Sequence, residues 1–303
     1  MELRPIFDFA PVHQLHRQRT HRLREVLSPN APLPEGRIAR HYALTHHVFE
    51  GAEAAARNGD QKAFDWYSTH PDAGADGLGP VAGPEPPPVV LAPGVDGLIR
   101  SSASETPYYV LAPHTRGARP GLRDLTLEAV DAAAAADPGF GTLIADHAVV
   151  ICLLRHKRLG ETLDSWSITR LPGTVFCDYT DEPLVLGRDL VHEAGHSWLN
   201  DALTAVHAKL DDQVRFFSPW KDAARPVYGF LHACWSFPLM MLYTAAVLPH
   251  CSGDVRRFLR TYLDEQRALL APTADDHASA LSLVADAGLR DRLRAVHQEA
   301  LAL

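Results

Sequence analysis

The segment Arg188 to Leu203, RDLVHEAGHSWLNDAL, constrains this chain more than any other. It reads as a helix, which puts His192 and His196 one turn apart on the same face with Glu193 projecting beside them. Two imidazoles at that spacing can grip one first-row divalent cation. Two histidines on an exposed helix face would have the same spacing and no such role. Here the preceding run LVLGRDLV supplies apolar residues that bury the helix, and buried ring nitrogens need partners. Whatever the chain folds into has to build a core around this helix and bring it a further ligand.

A stable catalytic centre needs a third protein ligand. The extended metalloprotease pattern places glycine at 199 and histidine at 202, where this chain has Leu199 and Ala202, so that branch is excluded. A glutamate from a following helix has no strong candidate, because the next glutamate after Glu193 is Glu265. Asp211, Asp212 and His207 stay open. The best placed is His232, in SPWKDAARPVYGFLHACWSFPLMM, a lone histidine among Phe230, Leu231, Cys234, Trp235 and Phe237. A histidine in such company can equally be a satisfied core residue, and two histidines in want of a third favour the ligand. Asp189 and Asn200 lie just outside the pair, placed to hydrogen-bond its members, and Asp189 also suits the first turn of a helix starting near Gly187.

With 303 residues, 46% hydrophobic and 22% charged, the chain can bury a sizeable core. Its formal charge of -8 argues against nucleic acid as the main partner. No run of 18 uncharged apolar residues and no secretory pattern at the start are seen, so the expectation is a cytoplasmic protein without a membrane span. Cys152, Cys177, Cys234 and Cys251 are far apart and read as buried thiols. Between His13 and Arg24, four arginines and three histidines form a basic stretch, read as a solvated helix face, with a docking face for an acidic partner as the alternative.

Helical spacing dominates the first 70 residues, and a proline- and glycine-rich loop or linker follows, with Val89 to Leu91 and Tyr108 to Leu111 apolar enough to bury. Next come a helix to about Ala136, a break at Asp137-Pro138-Gly139, a short helix, and strands in HAVVICLLRH and SWSITRLPGTVFCDYT. From Arg225 onward the pattern is mainly helical. The expected class is α+β, mainly helical, with a small sheet preceding the HExxH helix, the order of zincin-like folds. The expected division is an N-terminal helical region and loop over 1–120 and a metal-binding region over 121–303, compatible with one continuous domain.

RDLVHEAGHSWLNDAL followed after about thirty residues by SPWKDAARPVYGFLHACWSF resembles the HExxH-motif proteins of gene clusters for ribosomally made, modified peptides, a family of iron and 2-oxoglutarate-dependent peptide β-hydroxylases. The likeness covers Arg188 to Phe237 well and the overall length loosely. It implies Fe(II) held by His192, His196 and His232, with 2-oxoglutarate and O2 as cosubstrates and a precursor peptide as substrate. The resemblance also implies a cation for the distal carboxylate of 2-oxoglutarate; Arg225 is the first choice, because its planar fork meets a carboxylate with two hydrogen bonds, with Lys221 and Arg215 behind it and Ser218 and Tyr228 as neutral donors. Glu193 separates this reading from a zinc metallopeptidase, where it would be the general base; in the oxygenase it orients substrate or a metal-bound water. A non-catalytic peptide-binding protein with a vestigial site is the reading from a third class.

Overall fold

The structure is a computed structural model and describes residues 2–27, 36–78, 86–101 and 104–303. In chain order its helices are α1 (Arg4–Phe7), α2 (Ala10–Leu27), α3 (Ile38–Arg57), α4 (Gln61–Thr69), α5 (Pro120–Ala136), α6 (Pro138–His147), α7 (Pro183–Ala205), α8 (Val227–Val247), α9 (Gly253–Leu270), α10 (Ala274–Leu281) and α11 (Ala287–Leu301). The strands are β1 (Val89–Leu91), β2 (Ile99–Ser101), β3 (Ser104–Tyr108), β4 (Val150–His156), β5 (Ser165–Ser167), β6 (Thr174–Tyr179), β7 (Arg215–Ser218) and β8 (Ala223–Pro226). The class is α+β, mostly helical, with small sheets.

Strands β1, β4 and β6 run parallel, and β5 adds to β6 as an antiparallel edge, giving the order β1-β4-β6-β5. Strand β6 is buried along its whole length, as expected for a strand covered on both faces. Alternation of side chains distributes the sheet between two cores. Val90, Ile151, Val175 and Cys177 face a core shared with α5 to α8, whereas Leu91, Val150, Cys152 and Phe176 face one shared with α3 and α4. Because β1 pairs with β4 through Val90 and Ile151, the segments before and after residue 120 share one sheet. All four cysteines are free and buried.

The break between α5 and α6 follows from Asp137, whose carboxylate accepts from Gly139 N at 2.6 Å and caps α6, with Pro138 in its first turn. Part of the proline-rich segment, residues 79–85, lies outside the described residues; Val89 to Leu91 form β1. The basic stretch is only partly a solvated face. On α2, Val12, His16, Thr20 and Arg24 recur every four residues and are buried, His13 and Arg19 are half-buried, and Arg17, His21 and Arg22 are exposed.

Helix α7 begins at Pro183 rather than near Gly187, proline being suited to the first helical position, where its missing N–H costs nothing. Asp189 is therefore mid-helix and caps nothing. Its carboxylate is paired with the neighbouring Arg188 at 2.7 Å, and the guanidinium lies 4.6 Å from the Tyr262 ring centroid. At its other end α7 is closed by His207, with φ of 51°. Ala208 N donates to Leu203 O at 2.9 Å and His207 N to Thr204 O at 3.1 Å, the bond pair of a left-handed helix stop. The His207 side chain is exposed there, unlike the buried His192, His196 and His232 rings. His207→Gly is expected to stabilise the protein by about 0.5–1 kcal/mol, because glycine adopts positive φ without a Cβ penalty, and to leave metal content unchanged; urea unfolding and elemental analysis check both.

Helix α8 is apolar along its length. Extended to His250 it is long and apolar enough by composition to cross a membrane, but 78% of that window is buried inside the protein, the signature of a core helix. Its approach to α7 is set by Gly195, where an added Cβ would come 2.9 Å from Leu239 Cδ1. The Trp235 indole N–H donates to Gly195 O at 2.9 Å across the same contact. Helix α7 has to lie this close for a histidine on α8 to reach the pair on α7.

Candidate metal centre

A helix buried on most sides must find a partner for each polar side chain it carries. On α7 Arg188 pairs with Asp189 Oδ1, which leaves Asp189 Oδ2 without a partner, and Glu193 Oε1 accepts from Ser165 Oγ at 2.7 Å. Ser165 is on β5, so this bond ties the histidine-bearing helix to the antiparallel edge of the sheet. His192 and His196 are left to each other and to α8.

The structure brings His232 to them. His196 Nε2 is 3.1 Å from His192 Nε2, and His196 Nδ1 is 2.9 Å from His232 Nδ1. The His196 and His232 rings stack with centroids 5.2 Å apart, and the His192 and His196 rings meet edge to face at 4.5 Å. His196 thus turns a different nitrogen to each neighbour, and one ion shared by all three requires one ring to turn.

Burial and mutual proximity keep the three rings neutral. Burial is the largest cause for each. His196 is lowered to about 4, with the Arg225 charge adding to burial; His192 and His232 are held well below the usual histidine range by burial and then by His196. Neutral imidazoles carry the lone pairs that a metal ion takes. His232 Nε2, His192 Nδ1 and Glu193 Oε2 are buried without a hydrogen-bond partner. Such orphaned groups are costly in a core and ordinary around a bound ion. Three neutral nitrogen donors suit a first-row divalent metal.

Around the histidines, Tyr228 packs its ring 4.4 Å from that of His232 and donates its hydroxyl to Asn200 Oδ1, so Asn200 joins the site through Tyr228. Both residues line a surface pocket that reaches Thr169 and Leu210. Arg225 lays its guanidinium against Gly229, one turn before His232, where a Cβ would come 2.9 Å from Nη2. Its charge acts on His196 and His232, and among the described residues no carboxylate pairs with it.

The other sequence candidates divide: Glu193 stays beside His192 and Asp212 lines the pocket of Asn200 and Tyr228, while among the described residues no hydrogen bond or ion pair joins the rest to the three rings. Lys221 is exposed in the turn between β7 and β8, and Arg215 spends its guanidinium on Ala224 O at 3.1 Å. Ser218 is fully buried at the end of β7 with its hydroxyl unpartnered. Asp211 is exposed and accepts from Gln213 N within its own turn, and Asp212 is exposed. Glu193 is raised to about 7 by burial, against the lowering effect of hydrogen bonds from Ser165 and Ser167; its Oε1 is 3.8 Å from His192 Nε2. Ser165 and Ser167 were not legible as site residues. The only sequence signal was their place in a strand preceding α7.

No protein-family model matches the chain, and no curated protein matches it.

Proposed function

We propose that this protein is an Fe(II)- and 2-oxoglutarate-dependent dioxygenase that hydroxylates the β-carbon of a residue in a ribosomally made precursor peptide. One observation carries the reading: an imidazole from α8, His232, stands against the HExxH pair, with the unpaired guanidinium of Arg225 resting on Gly229, one turn before it. Bound iron with 2-oxoglutarate and O2 supplies an oxidant strong enough for an unactivated C–H bond, 2-oxoglutarate leaving as succinate and carbon dioxide. The protein's part is binding and orientation. His192, His196 and His232 hold the metal, and an all-histidine set is chemically sufficient because 2-oxoglutarate brings its own carboxylate. Arg225 pairs with the distal carboxylate of the cosubstrate, the Tyr228–Asn200 hydrogen bond fixes the wall beside His232, and the Glu193–Ser165 bond fixes α7 against the edge strand. The mixed sheet with its antiparallel edge beside this helix supports a zincin-like core arrangement put to oxidative use.

If Arg225 is the anion partner, Arg225→Gln raises KM for 2-oxoglutarate about 10- to 100-fold, the equivalent of losing a charge-assisted hydrogen bond, with iron stoichiometry unchanged. Steady-state kinetics at saturating peptide measure it.

The second reading, a zinc metallopeptidase, is favoured by Glu193 lying beside His192, where a general base would stand. Anaerobic loading with Fe(II), then O2, 2-oxoglutarate and peptide, separates the two. Peptide heavier by one oxygen with succinate released supports the dioxygenase; peptide cleaved with zinc alone supports the peptidase. Glu193→Gln sharpens the contrast. An oxygenase retains activity within about tenfold, since the amide oxygen still accepts from Ser165, whereas a hydrolase loses its base and falls roughly 10²- to 10⁴-fold.

A further inference from the structure

Helix α7 carries a second cluster on another face. Asp201 follows His196 by five residues and His192 by nine, which turns it about 140° and about 180° away from them around the helix axis. There it meets His16 from α2 and His147 from α6, all three buried at 1%, 4% and 4% exposure for His16, His147 and Asp201. His16 Nε2 is 2.8 Å from Asp201 Oδ2, His147 Nδ1 is 3.5 Å from the same oxygen, and one ligand atom from each residue falls within 4.8 Å of the others.

A purely hydrogen-bonded network explains this arrangement incompletely. The other carboxylate oxygen, Oδ1, already accepts from the Tyr42 hydroxyl at 3.1 Å, and the Tyr42 ring stacks on His16 with centroids 4.1 Å apart. Tyr42 therefore fixes both the carboxylate and the His16 ring, with Oδ2 and Nε2 facing each other. His147 Nδ1, 3.5 Å from the same Oδ2, is buried and makes no hydrogen bond of its own. Burial raises the Asp201 carboxyl, but the nearby His147 and His16 more than offset this and hold it well below the usual carboxylate range. Two imidazole nitrogens and one oriented carboxylate oxygen form a donor set for zinc, iron, cobalt or manganese rather than calcium or magnesium.

We propose that His16, His147 and Asp201 form a second divalent transition-metal site, a buried clamp that fastens α2 and α6 to the helix bearing the HExxH pair. The Tyr42 hydroxyl orients its carboxylate from outside the ligand set, as such partners do in metal sites. A metal here lowers the cost of burying the carboxylate and both rings, and fixes the position of α7 independently of any ion held by His192, His196 and His232.

Zinc titration of untagged, metal-stripped protein tests it, using the His192→Ala/His196→Ala double variant to remove the first site. That variant is expected to keep one tightly bound zinc per chain and to melt at a higher temperature with zinc than without. Adding Asp201→Asn or, separately, His147→Gln, which retains a hydrogen-bond donor, should weaken this zinc by at least about 100-fold, a larger loss than second-sphere changes cause. Circular dichroism selects the variants that remain folded, and either one suffices. A folded double variant that binds no zinc, or zinc binding unmoved by both further substitutions, would show that the cluster is a hydrogen-bond network only. The outcome is independent of whether the first centre is an oxygenase.

Discussion

His232→Ala is expected to cost the protein iron at the three-histidine centre and, with it, peptide hydroxylation. Removing one of three ligands leaves two, too few for a stable catalytic centre, so affinity should fall by more than the roughly 10- to 100-fold seen when only an outer partner of a ligand is lost. The fold should survive. His232 is near the start of α8, and its ring touches His196 and Tyr228 rather than the deepest part of the core. Iron-dependent turnover and Fe(II) titration, with far-UV circular dichroism alongside, make the measurement. Retention of iron affinity and turnover in a folded His232→Ala protein would leave the HExxH pair without its third imidazole and remove the basis of the oxygenase reading.

Trp198→Ala is expected to have the largest effect on stability, a loss of about 3–5 kcal/mol, as for other fully buried aromatic residues cut to alanine. Trp198 is two residues beyond His196 and completely buried. Its indole stacks on Trp235 of α8 with centroids 4.7 Å apart, meets Phe7 of α1 edge-on at 6.1 Å, and donates its N–H to Phe7 O at 3.2 Å. One side chain thus joins α1, α7 and α8, and its removal opens a cavity where the two helices of the candidate metal centre meet. Against a typical total stability of about 5–15 kcal/mol this is a large fraction. Urea unfolding reads it as a lower midpoint; a loss below about 1 kcal/mol would mean that the α7–α8 contact does not depend on this aromatic stack.

Local chemistry was readable along the chain. The Asp137-Pro138 helix start, the strands flanking Pro172-Gly173 and the apolar segment around His232 each have a short-range cause, and each appears where that cause predicts. The start of α7 is also signalled, by Pro183, ahead of the apolar run that follows it. Long-range pairings were not legible. Ser165 meets Glu193 only because β5 turns back as an antiparallel edge, and His16 meets Asp201 across 185 positions because α2 folds over α7. No periodicity in a single sequence encodes those encounters. The basic stretch on α2 shows the same limit: the charge run was visible, but the four-residue stripe that takes His16 inward acquires meaning only against the face of α7.

The proposed function requires one ion shared by three imidazoles from two helices. Anomalous diffraction at the iron edge, from crystals loaded with Fe(II) under anaerobic conditions, tests this most directly. The expected result is a peak within about 2.0–2.2 Å of one nitrogen from each of His192, His196 and His232, the usual range for an imidazole nitrogen on a first-row divalent metal. A peak held by His192 and His196 with the His232 ring turned away, or no peak among the three, would contradict it.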